Sequence, residues 1–333
     1  MRRALVIVLA ALAGACTPPL PNPTGVVDLR VVAASFEAPE VLISPCDPRL
    51  LVSLGSGGST NQIDPASLAR LLVVGQRPLT YRALVVDPKG EGRELSYRLR
   101  ACANQGDREC DNTDDFVELT SGKRPAGEWT FTLDGSAPDK PLLGTALLPD
   151  GQPLLLEALT QDSSRGLGGI RIPVMLEVRA SDTDEHVFAQ KLMVVQCQFF
   201  PSMRENVTPV LPGVLLRGEP WAEDFVPELS GGDEVLMEPM DFSALEEAYT
   251  VPSLSLSPVN LVESWKIAWY TTHGTMSAFE TGGTSFDGNT ERHRSRWQPD
   301  TTVKEPRDVT FFFVVRDGRG GQSWLTRRAK WTP

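Results

Sequence analysis

Apolar and polar residues alternate with a period of two through most of this chain, the pattern of strands that bury one face. In "RELSYRLRAC", Leu95, Tyr97, Leu99 and Ala101 share one phase, and Glu94, Ser96, Arg98 and Arg100 share the other. The preceding "YRALVV" and the turn "DPKGEG" predict a hairpin-like unit, with Asp87, Pro88 and Gly90 supplying the turn. "IRIPVMLEVRA" puts Ile170, Ile172, Val174, Leu176 and Val178 on one side and Arg171, Glu177 and Arg179 on the other. Its Pro173 falls on the outward phase and predicts an edge strand or a bulge, because proline cannot donate to a ladder. "HVFAQKLMVV" returns after the polar turn "SDTDE".

Two short helices are expected as excursions between strands. "IDPASLARLLVV" offers Asp64 as N-cap with Pro65 at the first helical position, and "QPLLLEALTQ" repeats the logic at Pro153. The glycine-rich "SLGSGGSTN" and "SSRGLGG" read as loops. Near residue 204 the pattern restarts: "ENVTPVLPGVLLRGEPW" predicts a linker and a new first strand. Beyond it, Trp265, Ile267 and Trp269 face one way in "ESWKIAWY", as do Val309, Phe311, Phe313 and Val315 in the next strong strand. Asp317-Gly318-Arg319-Gly320-Gly321 then turns a hairpin. Six of the seven tryptophans follow residue 220, so the second unit differs in composition from the first.

Many short alternating strands with little helix predict an all-β chain of two antiparallel sandwiches rather than an α/β enzyme. "ALVVDPKG" through "SYRLRAC", and "SWKIAWYTTHGTM" through "VTFFFVVRDGRGG", resemble immunoglobulin-like or PKD-like modules. The expected division is a signal segment over 1–15, a proline-rich tether over 16–28, a first immunoglobulin-like sandwich with helical insertions over 29–203, and a second over 204–333.

The amino terminus has its own pattern. Arg2 and Arg3 precede an apolar run from Ala4 to Ala13 and the small residues Gly14 and Ala15, which is the form of an export signal. About ten apolar residues fall short of the roughly twenty that a membrane-spanning helix requires. Leu12-Ala13-Gly14-Ala15-Cys16 resembles the lipobox of bacterial lipoproteins, with Leu12 one place further from the cysteine than the family usually has it. An ordinary secretory cleavage near Ala15 is the plainer alternative. The resemblance implies a diacylated Cys16, a membrane anchor made through that residue, and, with Thr17 rather than aspartate next to it, the Gram-negative outer membrane. Two or more acyl chains hold where one is marginal. Pro18, Pro19, Pro21 and Pro23 favour an extended segment, which from Cys16 to Asp28 reaches roughly 35 to 40 Å at about 3.1 Å per residue. The lipobox, "DLRVVAASFEAPEVL" and the two modules together are similar to poorly characterised Gram-negative envelope lipoproteins, which implies location and fold and transfers no catalytic residue.

Charge and cysteine usage narrow the picture further. Loss of residues 1–15 takes the formal net charge from −11 to −13, so nucleic acid and anionic lipid are not expected partners. Of the five cysteines, Cys46, Cys102, Cys110 and Cys197 remain after Cys16, an even number that suits two disulfides in an oxidising compartment. Cys102 continues the outward phase of its strand and is well placed to close a loop to Cys110, which leaves Cys46 for Cys197. No CxxC pair suggests zinc.

Candidates for chemistry are sparse. His186, His273 and His293 are the three histidines, with no G-x-S-x-G elbow or HExxH beside them, and solvated turn histidines are the plainer reading. "DRECDNTDDF", "SDTDEH" and "LEEAY" hold acids that could serve glycoside hydrolysis or calcium, against the plainer reading of solvated loops. Arg292, Arg294 and Arg296 share a face opposite His293 and Trp297. Trp265, Trp269 and Trp297 read as core rather than as a sugar platform, and Trp221 in "RGEPWAED" is the best candidate for an exposed aromatic. Asn206-Val207-Thr208 matches a glycosylation sequon that a bacterial lipoprotein has little reason to use. The expectation is a non-catalytic envelope lipoprotein, with no catalytic residue, no metal and no cofactor, presenting its modules to a protein or polysaccharide. A hydrolase with paired carboxylates and an accessory subunit of an envelope complex are the alternatives.

Overall fold

The computed structural model describes residues 22–44, 77–103, 110, 116–162, 168–283 and 293–333. The chain is all-β. Its first eight strands are β1 (Arg30–Phe36), β2 (Glu40–Ile43), β3 (Leu79–Val86), β4 (Glu94–Cys102), β5 (Phe116–Pro125), β6 (Gly127–Leu133), β7 (Ile170–Ala180) and β8 (His186–Cys197), with α1 (Leu154–Gln161) between β6 and β7. They form a three-stranded sheet ordered β1-β3-β6 and a five-stranded sheet ordered β2-β8-β7-β4-β5. Leu95, Tyr97, Leu99 and Ala101 of β4 and Ile170, Ile172, Val174, Leu176 and Val178 of β7 lie in the core between them, as their phase requires. Phe36, Tyr81, Tyr97, Trp129 and Phe131 meet there in tilted and edge-on ring contacts. α1 follows Pro153 and caps one end of this core with Leu154, Leu155, Ala158 and Leu159. The other expected helix, over residues 63–74, lies outside the described residues.

The second set comprises β9 (Val214–Leu216), β10 (Glu219–Pro220), β11 (Glu228–Ser230), β12 (Val235–Pro239), β13 (Ala248–Pro252), β14 (Pro258–Val262), β15 (Lys266–Thr271), β16 (Thr275–Met276), β17 (Glu280–Gly282), β18 (Ser295–Gln298), β19 (Arg307–Arg316) and β20 (Gln322–Thr332). Sheets ordered β10-β9-β12-β18-β16 and β11-β20-β19-β15-β17 face each other, and β13 and β14 pair separately. The five-stranded β2-β8-β7-β4-β5 and β11-β20-β19-β15-β17 repeat one topology. In each, a short early strand runs parallel to the last strand, and antiparallel ladders complete the sheet. The sandwiches are therefore immunoglobulin-like with one parallel pair each, where wholly antiparallel sheets were expected. Trp265, Trp269, Trp297 and Trp331 fill the second core. Their indole N–H groups donate to Glu263, Thr281, the His273 carbonyl and the Gly231 carbonyl, so no indole donor is left unpaired by this burial.

Three local expectations are corrected. β3 and β4 are not a hairpin: they lie in opposite sheets, because β3 already has β1 and β6 on its two edges. The turn between them is tied instead by Arg93, which pairs with Asp87, Asp182 and Glu185. Pro173 is not on an edge strand, since β7 is central. The ladder to β4 stops at Val174, so Pro173 has a partner only on β8 and its missing donor costs no bond on the β4 side. The outward phase of β4 is solvated at Glu94 and Arg98 but buried at Arg100 and Cys102.

The two sandwiches stack. Val32, Ala33 and Leu84, on the outer face of β1 and β3, meet Ala268, Tyr270, Phe312 and Val314 on the outer face of β15 and β19. A bulge between Val31 and Ala33 in β1 lies at this seam. The segment expected to run free as tether up to Asp28 joins it from Thr24 onward. Val26 donates to the Thr271 carbonyl at 2.8 Å, Thr271 donates to Thr24, and Val26 is fully buried in the seam cluster.

Candidate functional site

The inter-sandwich seam gathers the densest polar chemistry among the described residues. Its centre is the β19–β20 turn, where Asp317 Oδ1 accepts from the backbone N–H groups of Arg319 and Gly321, and Oδ2 accepts from Asn206 Nδ2 at 2.7 Å. Gly321 is required here, because a Cβ would lie 2.0 Å from Asp317 Oδ2. So braced, the turn aims Arg319 at the first sandwich. Its Nη2 donates to Glu40 Oε2 at 2.8 Å and to the Arg204 carbonyl. Its Nη1 reaches Glu263 Oε1 at 3.3 Å and Glu247 Oε2 at 3.5 Å, and the guanidinium lies 4.3 Å from the Tyr249 ring centroid. One planar fork thus ties β2, the 204–206 linker, the β13–β14 hairpin and β15's approach to one another.

Burial sets the electrostatics of this cluster. Desolvation raises the pKa values of Glu40, Glu263 and Asp317 above the usual carboxylate range, against the opposing pull of Arg319 on each. Glu205 pairs with Arg77 at 2.6 Å and accepts from the Leu42 N–H beside the cluster. A cleft of about 510 Å3 opens next to Arg319, lined among others by Arg171, Gln190, Lys191, Gln196 and Tyr249. Burial first, and then the positive Arg316, lower the Lys191 pKa to about 8. A second open groove of about 610 Å3 runs between the sandwiches past Asp87, Glu128, His273, Arg307 and Asp308. Trp324 bridges the same seam by donating to Glu128 at 3.0 Å under the guanidinium of Arg82.

The residues singled out by sequence are distributed as follows. Cys16 and Cys46 lie outside the described residues. Cys102 and Cys110 form a disulfide with Cα atoms 5.5 Å apart. Both are fully buried and cluster with Met175, Phe116 and Phe188, so the bridge is not on the solvated phase assumed for Cys102. Cys197 is buried at the end of β8 and is itself disulfide-bonded. His186, the first residue of β8, is exposed, but His273 and His293 are buried. His273 packs 4.8 Å from Trp331 and His293 5.3 Å from Phe242, and burial lowers the His273 pKa. Trp221 is buried, not exposed: its indole donates to the Phe225 carbonyl and its ring meets Phe311 and Phe313. Trp265, Trp269 and Trp297 are core. Arg296 is exposed opposite buried Ser295 and Trp297, and Arg292 lies outside the described residues. Asn206 is buried with its amide committed to Asp317, so the sequon is not presented at the surface.

The acid clusters divide. Residues 107–109 and 111–115 of "DRECDNTDDF" lie outside the described residues. Asp182 and Glu185 serve Arg93, while Glu246 accepts from the Trp265 N–H and Glu247 faces Arg319. Among the described residues, no group of three or more His, Cys, Asp or Glu is arranged to hold a metal, and no helix is long and apolar enough to cross a membrane. Sequence reasoning took the Asp317–Gly321 turn for geometry alone and missed Arg319.

No family model matches the chain, and no curated protein matches it. Solved structures similar to it include dimeric latent PorU from Porphyromonas gingivalis, at 9% identity and a TM-score of 0.18 over 92% of this chain. The chain spans about a third, 34%, of that PorU structure. The C-terminal domain of the Streptococcus pyogenes antigen I/II-family protein AspA is similar at 11% identity and a TM-score of 0.17, over 78% of this chain and 93% of that one. Zebrafish RET cadherin-like domains 1 to 4 are similar at 9% identity and a TM-score of 0.13, over 93% and 71%. At such TM-scores the fold assignment rests on the strand order above.

Proposed function

We propose that the chain is a non-catalytic lipoprotein of the Gram-negative outer membrane, anchored through acylated Cys16, whose stacked sandwiches present loops and edges to an envelope protein or polysaccharide. The seam is the observation that supports this reading. Two sandwiches joined by an apolar face and by the Arg319 fork behave as one stiff body, which suits holding a surface at a fixed attitude to its anchor. Of the acids that sequence offered for hydrolysis, Asp182, Glu185 and Glu247 are engaged in ion pairs and Glu246 in a backbone bond. Recognition then falls to exposed edges and turns.

Fatty-acid labelling of the wild type and Cys16→Ser tests the anchor: label on the wild type alone is expected, and label on both or neither removes it. Crosslinking from intact membranes, run beside hydrolysis assays on envelope glycans, tests the role. A stoichiometric partner without turnover is expected, and turnover abolished by a single Asp or Glu substitution overturns it.

A further inference from the structure

The cleft of about 510 Å3 between the first sandwich and β13 holds polar groups that the fold leaves without partners. Its volume falls within the roughly 300 to 1,000 Å3 of small-molecule sites. Along β8, Met193, Val195 and Cys197 lie in the core, so Gln190, Leu192, Val194 and Gln196 line the cleft from the outer face of the sheet. Gln196 is only 6% exposed, and its side-chain amide makes no hydrogen bond among the described residues. A buried amide costs free energy unless a partner reaches it, and the cleft is the side from which one can come.

Two cations join this amide. Arg171, opposite Val194 on β7, has the Gly168 carbonyl, at 3.5 Å, as its side chain's one hydrogen-bond partner among the described residues, and no carboxylate in ion-pair reach. The Lys191 side chain likewise has no hydrogen bond or ion pair there, and burial together with the positive Arg316 outweighs the pull of Asp317 on it. The other charges on the lining, Glu40 and Arg319, are paired with each other. In a chain with 43 acidic and 32 basic side chains, this cleft therefore carries a local excess of positive charge. Acids elsewhere on the surface are largely screened beyond about 8 Å at physiological ionic strength.

We propose that this cleft binds a single acidic sugar unit, with Arg171 and Lys191 on its carboxylate or phosphate and Gln190 and Gln196 on its hydroxyls. A guanidinium fork and an ammonium match either oxyanion. An amide both donates and accepts, as a sugar hydroxyl does and a bare anion does not. Leu192, Val194 and Tyr249 supply apolar wall for the face of the ring. The bound acid also brings Lys191 the counter-charge it lacks in the free protein. The site goes beyond the edges and turns of the proposed function, and rests on that reading only for an envelope polysaccharide as the source of the sugar.

The test uses the full chain carrying Cys16→Ser and soluble probes, so it can fail while the anchor stands, and the reverse. Isothermal titration calorimetry with glucuronate and with glucose-6-phosphate is expected to show millimolar or tighter binding of at least one, the better probe identifying the acid group. Glucose, acetate and inorganic phosphate should each bind at least about tenfold more weakly, since each lacks either the charge or the hydroxyls. Arg171→Gln and Gln196→Leu are each expected to weaken binding of the acidic sugar about tenfold. Gln196→Leu removes an amide that is unpaired in the free protein, so its melting temperature should stay the same or rise while affinity falls. Lys191→Met should likewise weaken binding in a chain that is no less stable. Absence of binding by both acidic sugars overturns the proposal. So does binding that glucose, acetate or inorganic phosphate equals, or that survives all three substitutions.

Discussion

Arg319, at the turn of the last hairpin, donates to Glu40 of β2, 279 residues earlier in the chain, at 2.8 Å. That bond joins the second sandwich to the first, and the same guanidinium faces Glu263, whose side chain is fully buried. Removing the cation leaves buried carboxylates without their partner, a change that costs about 3 to 5 kcal/mol. Arg319→Ala should therefore lower the denaturant midpoint and separate the unfolding of the two sandwiches into distinct calorimetric transitions. Arg319→Lys should recover little, because a point charge cannot reproduce a fork shared among three carboxylates and a carbonyl.

The pH dependence of this seam should run opposite to ordinary acid denaturation. Glu40, Glu263 and Asp317 have pKa values raised by burial, so between their raised values and the ordinary carboxylate range the folded state binds more protons than the unfolded one. Stability then rises as pH falls from neutral through that window, and levels off at the ordinary values. Glu118, held below the ordinary range chiefly by the Ser121 hydroxyl and then by Arg98, has the opposite sign and favours unfolding only in stronger acid. Glu263→Gln should flatten the neutral-to-acid rise in melting temperature. An unchanged slope in that variant would count against the raised value.

Lys191 offers the basic counterpart. Burial and the neighbouring Arg316 bring its pKa down to about 8, so at neutral pH it stays mostly charged in the folded protein but at a cost the unfolded chain does not bear. Stability should climb as pH rises from about 8 toward the ordinary lysine range, where the unfolded chain alone is protonated. Lys191→Met should stabilise the protein at pH 7 by up to about 3 kcal/mol and abolish that climb.

What could be read from sequence was set by one-face periodicity. The phases of β4, β7, β15 and β19 located both cores, because a strand that buries one face must alternate. Burial of the second face was harder to foresee, since it depends on what covers it from elsewhere in the chain. Ala268, Tyr270, Phe312 and Val314 sit on the phase opposite the core, and "TFFFVV", apolar in both phases, was the available signal that β19 is covered on both sides. His273, His293 and Trp221 were misplaced for a related reason: each lies in a turn-like stretch whose burial comes from distant packing. Arg319 was invisible because its partners, Glu40, Glu247 and Glu263, are distant in sequence and adjacent only after the sandwiches stack.

The Cys102–Cys110 bridge ties the end of β4 to Cys110, where buried Arg100 donates to Glu177 at 2.9 Å and to the Cys110 carbonyl at 3.2 Å. Constraining a loop of that length stabilises by about 2 to 3 kcal/mol. Cys102→Ser with Cys110→Ser should lose that amount in chemical denaturation. The loss should be partly shared with Arg100→Met in a double-mutant cycle, because the bridge and the guanidinium hold the same loop.

Leu256 closes the tip of the β13–β14 hairpin with φ of 56°, a left-handed conformation in which glycine or asparagine is at ease and a branched side chain is not. The residue is also 45% exposed, beside Leu254 at 91%, so its burial does not offset the strain. Leu256→Gly relieves about 1 to 2 kcal/mol of left-handed strain and returns part of it through a freer unfolded chain, for a net gain of about 0.5 to 1 kcal/mol. Leu256→Ala keeps a Cβ in the same conformation and should give no gain, while Leu256→Asn should approach the glycine variant. Thermal unfolding of the three variants at one pH separates backbone relief from loss of apolar contact: stabilisation by Ala as large as by Gly would assign the effect to the leucine side chain and refute the strained turn.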